Sequence, residues 1–236
     1  TGNTQAMNES ILIGYRIIKD DGELLSFDVE IDSQNHSKLP PLIASDNENW
    51  ARLDNNQCEH CPLSPAQELH CPVALRISWV IDSVAHDIST DIVECRVETL
   101  ERVTSSRLPI DKAIYSLLGL LMATSGCPHM DFLGPMARYH LPFSTAEETI
   151  VRTSSLYLLT QYFKEGPGGE ADYRLAHLGD LYQEVSKVNQ GIIKRIRSRQ
   201  QSGDTNANSI VILNSFAQIL SLENKIGLNS VAKSFI

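Results

Sequence analysis

The sequence lacks the long apolar run that a membrane-spanning helix requires. Its longest run, Leu117 to Ala123, is far shorter than the ~20 residues that cross a bilayer. It also lacks a secretory signal, so we expect a cytoplasmic protein whose five cysteines are thiols or metal ligands rather than disulfides. The odd number of cysteines favours the same interpretation.

A basic surface is missing as well. The chain has 20 Lys and Arg residues against 29 Asp and Glu, a formal charge of −9, whereas a protein that coats nucleic acid needs positive charge to neutralise phosphates. We expect no nucleic-acid partner and no membrane partner. The one basic segment, Lys187 to Arg199, is typical of a solvated face near a helix C-terminus.

Three common catalytic or nucleotide-binding motifs are absent. The sequence contains no phosphate-binding glycine loop, no His-Glu-x-x-His zinc motif and no nucleophile elbow. These absences leave no motif-level support for nucleotide binding, for a metalloprotease or for a serine hydrolase.

Alternating apolar residues predict four short β-strands. Ile11 to Ile17 and Leu25 to Ile31 alternate on either side of the turn Asp20-Asp21-Gly22, which predicts a hairpin with one buried face. A second pair is predicted at Asp91 to Thr99 and Arg102 to Leu108. Together they predict one antiparallel sheet with helices on one side.

Helical periodicity predicts the rest of the fold. We expect helices over Val73 to Ile88, Asp111 to Thr124, Thr145 to about Phe163 and Tyr173 to Arg199. The second is apolar nearly all round and should run through the middle of the fold, and a Thr-x-x-Glu capping box opens the third. The predicted fold class is α+β, a small four-stranded antiparallel sheet packed on a mainly helical bundle with a C-terminal helical tail.

The last of these helices carries apolar residues at heptad spacing, with an asparagine among them. This seam consists of Leu175, Leu178, Tyr182, Val185, Asn189, Ile192 and Ile196, and one asparagine in such a seam fixes register in coiled coils. The seam predicts either packing within the chain's own bundle or a homodimer formed by the 173–199 helix and the tail. We predict one domain over residues 11–199 with a Cys-rich loop at 58–72, a linker at 200–208 and a helical tail at 209–236.

Cysteine spacing predicts a metal site. Cys58 and Cys61 form a Cys-x-x-Cys pair, Cys71 follows ten residues later, and Cys127 lies far downstream. Thiolates bind soft or borderline metals, and such a pair can hold one ion from a tight turn. We predict that Cys58, Cys61, Cys71 and Cys127 bind zinc or, alternatively, an iron–sulfur cluster, in a structural or regulatory role. Other residues that could supply the fourth ligand are His70, His129 and His140.

Proline follows three of these cysteines. Proline suits the first position of a helix, so Cys71 and Cys127 are predicted N-caps, and a helix N-terminus lowers the pKa of a thiol there. Cys-Pro steps also occur in ferredoxin-type motifs, which keeps the iron–sulfur alternative open. Cys95, in the middle of a predicted strand, should be a buried thiol.

Two other functions fit the same residues. In one, Cys127 is the nucleophile or redox thiol of an enzyme, with His129 or His140 as its base. In the other, the protein is a homodimeric interaction module without a metal. Whether the chain is an enzyme therefore stays open.

Several short motifs also suggest a family. They are Cys61-Pro62-Leu63, His70-Cys71-Pro72-Val73-Ala74, Ser125-Gly126-Cys127-Pro128, Pro135-Met136-Ala137-Arg138 and His140-Leu141-Pro142-Phe143. Together they resemble a bacterial family known only as a domain of unknown function. The resemblance covers about Ile11 to Arg199 and leaves the tail outside. It implies a bacterial cytoplasmic protein, and it implies no activity or cofactor.

Overall fold

The computed structural model describes residues 10–32, 48–165, 171–199, 202–225 and 228–236. Residues 200 and 201 of the predicted linker, and residues 226 and 227 of the predicted tail, lie outside these ranges.

The described residues form one four-stranded sheet. Its strands are β1 (Ser10–Lys19), β2 (Leu24–Asp32), β3 (Ile92–Glu98) and β4 (Val103–Pro109), in the order β2-β1-β3-β4, and every neighbouring pair is antiparallel. Both predicted hairpins are present. Along β2 and β3 buried apolar positions alternate with exposed ones, so one face of the sheet is buried and the other faces water.

Seven α-helices complete the described part of the chain. They are α1 (Glu48–Ala51), α2 (Pro72–Ser83), α3 (Ile110–Ala123), α4 (Gly134–Arg138), α5 (Ala146–Lys164), α6 (Leu178–Arg197) and α7 (Thr205–Lys225), with short 3₁₀ helices at Asp131–Leu133 and Ala232–Ser234. Within the described ranges, none of these helices combines the length and the apolar composition that a bilayer crossing requires. The predicted α+β class is confirmed.

The central helix lies where the sequence predicts it. Most of the α3 side chains are buried, and the Tyr15 hydroxyl of the sheet lies 2.9 Å from Ser116 Oγ on this helix. The buried face of the sheet also packs on α2, where the rings of Phe27 and Trp79 lie 5.1 Å apart in an edge-to-face arrangement. One core therefore joins the sheet and the helices.

Helix boundaries follow local capping chemistry. The predicted capping box opens α5, because Glu148 N–H donates to Thr145 Oγ1 at 3.2 Å and Thr145 N–H donates to Glu148 Oε2 at 2.8 Å. The α6 helix begins at Leu178 rather than at Tyr173, because the Asp172 carboxylate accepts the backbone N–H groups of Ala176 and His177 just before the helix. The α2 helix ends at Ser83, five residues before the predicted end.

The C-terminal helix folds back on the chain. The α7 helix starts at Thr205 and packs along α6 and α3, and the Asp204 carboxylate accepts the backbone N–H of Ser89 at 2.7 Å. In α6 the seam from Leu178 to Ile196 is buried inside its own chain. The homodimer stays a prediction and would have to use other surfaces of these helices.

Candidate metal centre

The Cys58–Cys61 pair sits in a loop that is closed at its base. Cys71 N–H donates to the Ala51 carbonyl at 2.8 Å and Leu53 N–H donates to the Leu69 carbonyl at 2.9 Å. Inside the loop, Cys61 N–H donates to the Cys58 carbonyl at 3.0 Å. These bonds form the tight turn that a Cys-x-x-Cys pair needs to present both sulfurs together.

The N-cap prediction holds for one cysteine of the two. Cys71 is the N-cap of α2 with Pro72 directly after it, although its sulfur makes no capping hydrogen bond. Cys127 instead opens a turn in which Met130 N–H donates to the Cys127 carbonyl at 2.8 Å, and Met130 is the N-cap of the following 3₁₀ helix. Gly126, just before it, has a φ of +81°, the left-handed conformation expected near the end of α3.

The Cys127 segment meets the Cys58–Cys61 turn through two histidines. His129 Nε2 lies 3.0 Å from the His60 carbonyl oxygen, and the two imidazole rings are 4.1 Å apart. We call the meeting point of the Cys58–Cys61 turn, the start of α2 at Cys71 and the Cys127–His129 segment the thiol junction.

The four predicted thiols affect one another electrostatically. After burial, the charges of Cys71 and Cys61 contribute to the raised pKa of Cys58, and the charges of Cys71, Cys58 and Cys61 contribute to that of Cys127. The sulfurs are not drawn together, however. In the described part of the chain, no three of them lie within 4.8 Å of one another.

The predicted lowering of the thiol pKa is wrong. Burial raises the pKa of Cys58 to about 11 and that of Cys127 to about 12. Burial also raises the pKa of Cys71, although Arg195 and the first backbone N–H groups of α2 oppose the shift. Desolvation of a thiolate outweighs the helix N-terminus here, so these thiols are neutral at pH 7 unless a cation is present.

A buried arginine lies behind the junction. Arg195 is 1% exposed; its Nη1 donates to the carbonyls of Trp50 and Arg52, both at 2.7 Å, and its Nη2 donates to the Leu53 carbonyl at 3.2 Å. Among the described residues it forms no ion pair with a carboxylate. The sequence predicts a solvated face for this basic segment, and that prediction is wrong at Arg195.

A second group of donors lies next to the thiols. Three donor atoms lie within 4.8 Å of one another, one each from His60, His129 and Glu184. His60 Nε2 is 3.4 Å from Glu184 Oε2. Both ring nitrogens of His60 are buried and form no hydrogen bond with any described residue. Burial and the neighbouring His129 lower the pKa of His60, which favours the neutral imidazole that binds metals. No sequence spacing connects Glu184, on α6, to these histidines.

The α6 helix touches the turn at a glycine. A Cβ added at Gly191 would lie 2.7 Å from Cys58 Sγ, so any larger residue there would displace the sulfur. A polar cleft of about 190 Å³ lies beside this contact, lined in part by Cys58, His60, Lys187 and Lys194. The cleft gives solvent a path to the junction.

The remaining candidate residues lie in other surroundings. Cys95 is fully buried, as predicted, and burial raises its pKa to about 12. The distance between His140 Nε2 and the Tyr15 hydroxyl oxygen is 2.5 Å, so His140 has a hydrogen-bond partner other than a metal. Within the described contacts no imidazole bonds the sulfur of Cys127, so the enzyme hypothesis gains no geometric support.

Comparison with known proteins identifies a family and nothing further. No curated protein and no solved structure matches the chain. Residues 13–236 match the family described as a domain of unknown function, DUF6901. The match includes the C-terminal tail, which the motif resemblance leaves outside, so that boundary is corrected. The chain belongs to the DUF6901 family.

Proposed function

We propose that this protein binds a metal ion, zinc in the first instance, through Cys58, Cys61, Cys71 and Cys127. The observation that carries the proposal is the meeting of separate segments at the thiol junction, where His129 Nε2 lies 3.0 Å from the His60 carbonyl oxygen and the charge of each thiol contributes to the pKa of another. The role is structural or regulatory. A reducing bacterial cytoplasm suits it, because thiols stay reduced there.

The buried arginine supports this proposal through charge. A zinc ion bound by four thiolates carries a net negative charge, and a buried cation without a counter-ion is costly. Arg195 already opposes the raised pKa of both Cys58 and Cys71. A thiolate-bound metal would therefore supply the negative charge that Arg195 lacks.

Metal binding would draw the sulfurs together. Zn–S bonds of ~2.3 Å in a tetrahedron put the sulfurs about 3.8 Å apart. In the described part of the chain the sulfurs are farther apart than this, since no three of them lie within 4.8 Å of one another. Cys58, Cys61 and Cys127 lie in turns rather than in helices, so small backbone and side-chain rotations can bring them in. The metal would then tie the loop after the first hairpin to the end of α3.

The histidine–carboxylate group is a second candidate centre. Its three donors are already within 4.8 Å of one another, and two nitrogens with one oxygen leave an open fourth position, as in catalytic zinc sites. The unbonded nitrogens of His60 favour it. In this alternative, His60, His129 and Glu184 bind the metal ion in place of the thiols.

Elemental analysis of the purified protein tests the proposal. We expect about one zinc per chain, and an anaerobic absorption spectrum distinguishes zinc from an iron–sulfur cluster, which absorbs visible light. Replacing bound metal with Co²⁺ should give a sulfur-to-cobalt charge-transfer band. Cys58→Ser, Cys61→Ser and Cys71→Ser should each lose metal, while Cys95→Ser, a matched control outside the junction, keeps it.

Two results would contradict a thiolate site. One is the absence of stoichiometric metal after reconstitution with Zn²⁺ or with iron and sulfide. The other is metal that survives the cysteine substitutions and is lost in Glu184→Gln or His129→Ala, which would assign the ion to the histidine–carboxylate group. Circular dichroism of each variant separates loss of metal from loss of folding.

The alternatives keep their own tests. Rapid, selective alkylation of Cys127 at neutral pH would favour the enzyme, whereas an inert thiol counts against it. Light scattering of the full chain measures its mass, and a dimer that persists in metal-free protein would favour the interaction module.

A further inference from the structure

The helices α3, α5, α6 and α7 line a cavity of about 140 Å³, which we call the helical cavity. Its walls are mainly apolar and include Leu120, Met122, Leu213 and Phe216. Other proteins hold a benzene molecule in a cavity of about 150 Å³. The helical cavity is therefore large enough for a ligand with a body the size of one ring.

An unpartnered amide lines this cavity. Asn189 is 1% exposed, and in the described ranges neither its Nδ2 nor its Oδ1 has a hydrogen-bond partner. A buried amide without partners is destabilising. An asparagine that fixes the register of a coiled coil bonds a partner across the seam, and Asn189 has none among the described residues. Its free donor and acceptor are suited to a hydrogen-bonding group on a bound molecule.

A cation lines the cavity as well. Arg152 donates from Nη2 to the carbonyls of Met136 at 3.2 Å and Tyr139 at 2.8 Å. Among the described residues it forms no ion pair with a carboxylate, although the charge of Glu148, one helical turn earlier, acts on it, and only its Nη2 donates hydrogen bonds there. A partly buried guanidinium with free donors is suited to a carboxylate.

The two polar groups come from different helices, Arg152 from α5 and Asn189 from α6. Thr153, the neighbour of Arg152 on α5, forms a hydrogen bond with the Tyr182 hydroxyl of α6, and Arg152 and Tyr182 both line the cavity. Asn189 follows Tyr182 by seven residues, about 10.5 Å along the helix axis. Arg152, Asn189 and the apolar side chains line the same cavity, so one ligand can reach both polar groups.

We propose that the helical cavity binds a small carboxylic acid with a ring-sized apolar body and a hydrogen-bonding group at its far end. Arg152 holds the carboxylate, and the Asn189 amide bonds the far group. This site is separate from the thiol junction and does not depend on the proposed metal.

Three related probes test the proposal by isothermal titration calorimetry of the full chain. 4-Hydroxybenzoate carries both polar groups, benzoate lacks the hydroxyl, and phenol lacks the carboxylate. We expect 4-hydroxybenzoate to bind most tightly and each of the other two about tenfold more weakly, since each loses one set of hydrogen bonds.

Two variants assign the ends of the ligand. Asn189→Leu should abolish the preference for 4-hydroxybenzoate over benzoate and raise the melting temperature of the free protein by at least about 2 °C, because a buried unpaired amide is removed. Arg152→Gln should weaken both acids about tenfold and leave phenol unchanged. Gln190→Leu, an exposed amide on the same helix, is the control and should change none of these values.

The proposal is overturned if none of the three probes binds saturably. It is also overturned if folded Asn189→Leu and Arg152→Gln proteins bind the acids as the unmodified chain does. Should Arg152→Gln fail to fold, Arg152→Lys keeps the charge without the planar fork, and unchanged affinity for the acids in that variant contradicts the paired geometry.

Discussion

The thiol junction and the helical cavity both bury polar groups, but with opposite imbalances. At the junction a buried cation, Arg195, lies near thiols that are neutral because burial raises their pKa. In the cavity a neutral amide, Asn189, lies in a mainly apolar lining and has no hydrogen-bond partner in the part of the chain that the structure describes. At the junction uncharged sulfurs lie near a cation, whereas in the cavity an amide donor and acceptor are left without a partner among the described residues.

This difference indicates which change would stabilise each region. At the junction, a bound metal ion would hold the thiols as thiolates. The net negative charge of that centre would pair with Arg195, so metal binding should stabilise the fold. In the cavity, either a ligand or removal of the Asn189 amide should do so. Substitutions and pH can therefore test the two regions separately.

The largest effect is expected for Arg195→Met. Three carbonyl groups, those of Trp50, Arg52 and Leu53, would lose their donor in a buried place. We expect the free energy of unfolding to fall by about 3–5 kcal/mol, measured by urea denaturation of protein without added metal.

Two other variants sharpen this test. Arg197→Met removes an exposed arginine two residues away and should change stability by less than about 0.5 kcal/mol. Arg195→Lys keeps the charge with fewer donors and should give an intermediate loss. If Arg195→Met were as stable as Arg197→Met, the arginine would not hold the loop.

An intermediate effect is expected for pH at the cavity. Burial, with a smaller contribution from Arg152, lowers the pKa of His140 to about 3, below its ordinary value of about 6.5. Between these two values the unfolded chain binds a proton that the folded chain does not. The stability is therefore fully present above pH 6.5 and falls as the pH drops, by about 2 kcal/mol at pH 5.

Urea denaturation at several pH values between 7 and 5 measures this slope. His140→Gln should flatten it, whereas His86→Gln, which changes an exposed histidine, should leave it in place. An unchanged slope in a folded His140→Gln protein would show that His140 is not the group responsible.

The smallest effect tests the contact between α6 and the turn. In the unmodified chain, Gly191→Ala brings a Cβ within 2.7 Å of Cys58 Sγ, and the strain should offset the helix propensity gained. In a Cys58→Ala background the sulfur is gone, so Gly191→Ala should stabilise by about 1 kcal/mol, the usual advantage of alanine over glycine in a helix.

A double-mutant cycle on unfolding free energies measures the difference between the two backgrounds. We expect a coupling of about 1 kcal/mol or more between the two positions. Equal effects of Gly191→Ala in both backgrounds would mean that α6 does not press on the sulfur. Metal titration of the Gly191→Ala variant also shows whether displacing Cys58 Sγ weakens metal binding.

Much of the fold follows from patterns within short segments. The period of two in Ile11 to Ile17 produces β1, and the Thr145–Glu148 capping box opens α5, because each depends only on neighbours along the chain. Apolar spacing predicts a start for α6 that is too early, because the heptad spacing extends back to Leu175, three residues before the helix begins. Only the Asp172 carboxylate and the positive φ of Leu175 show that the chain is not helical there.

The candidate sites were less predictable. Cysteine spacing indicates Cys58 and Cys61, but nothing in the sequence marks Arg195 as buried or links Glu184 to His60. The thiol pKa prediction was wrong because the helix N-terminus at Cys71 is visible in the sequence, whereas the burial that outweighs it is not. The seam identifies Asn189, but the empty space beside it is formed by helices distant along the chain.

The sequence by itself determined the α+β class, the two hairpins, the buried central helix and the cysteines of interest, because periodicity, capping and residue type act over a few residues. The tertiary structure alone decided that α7 folds back, that Arg195 lies behind the thiols, and that the Asn189 amide and the Arg152 guanidinium line one cavity. Those outcomes depend on desolvation and on contacts between segments far apart in the chain, and no local pattern encodes either.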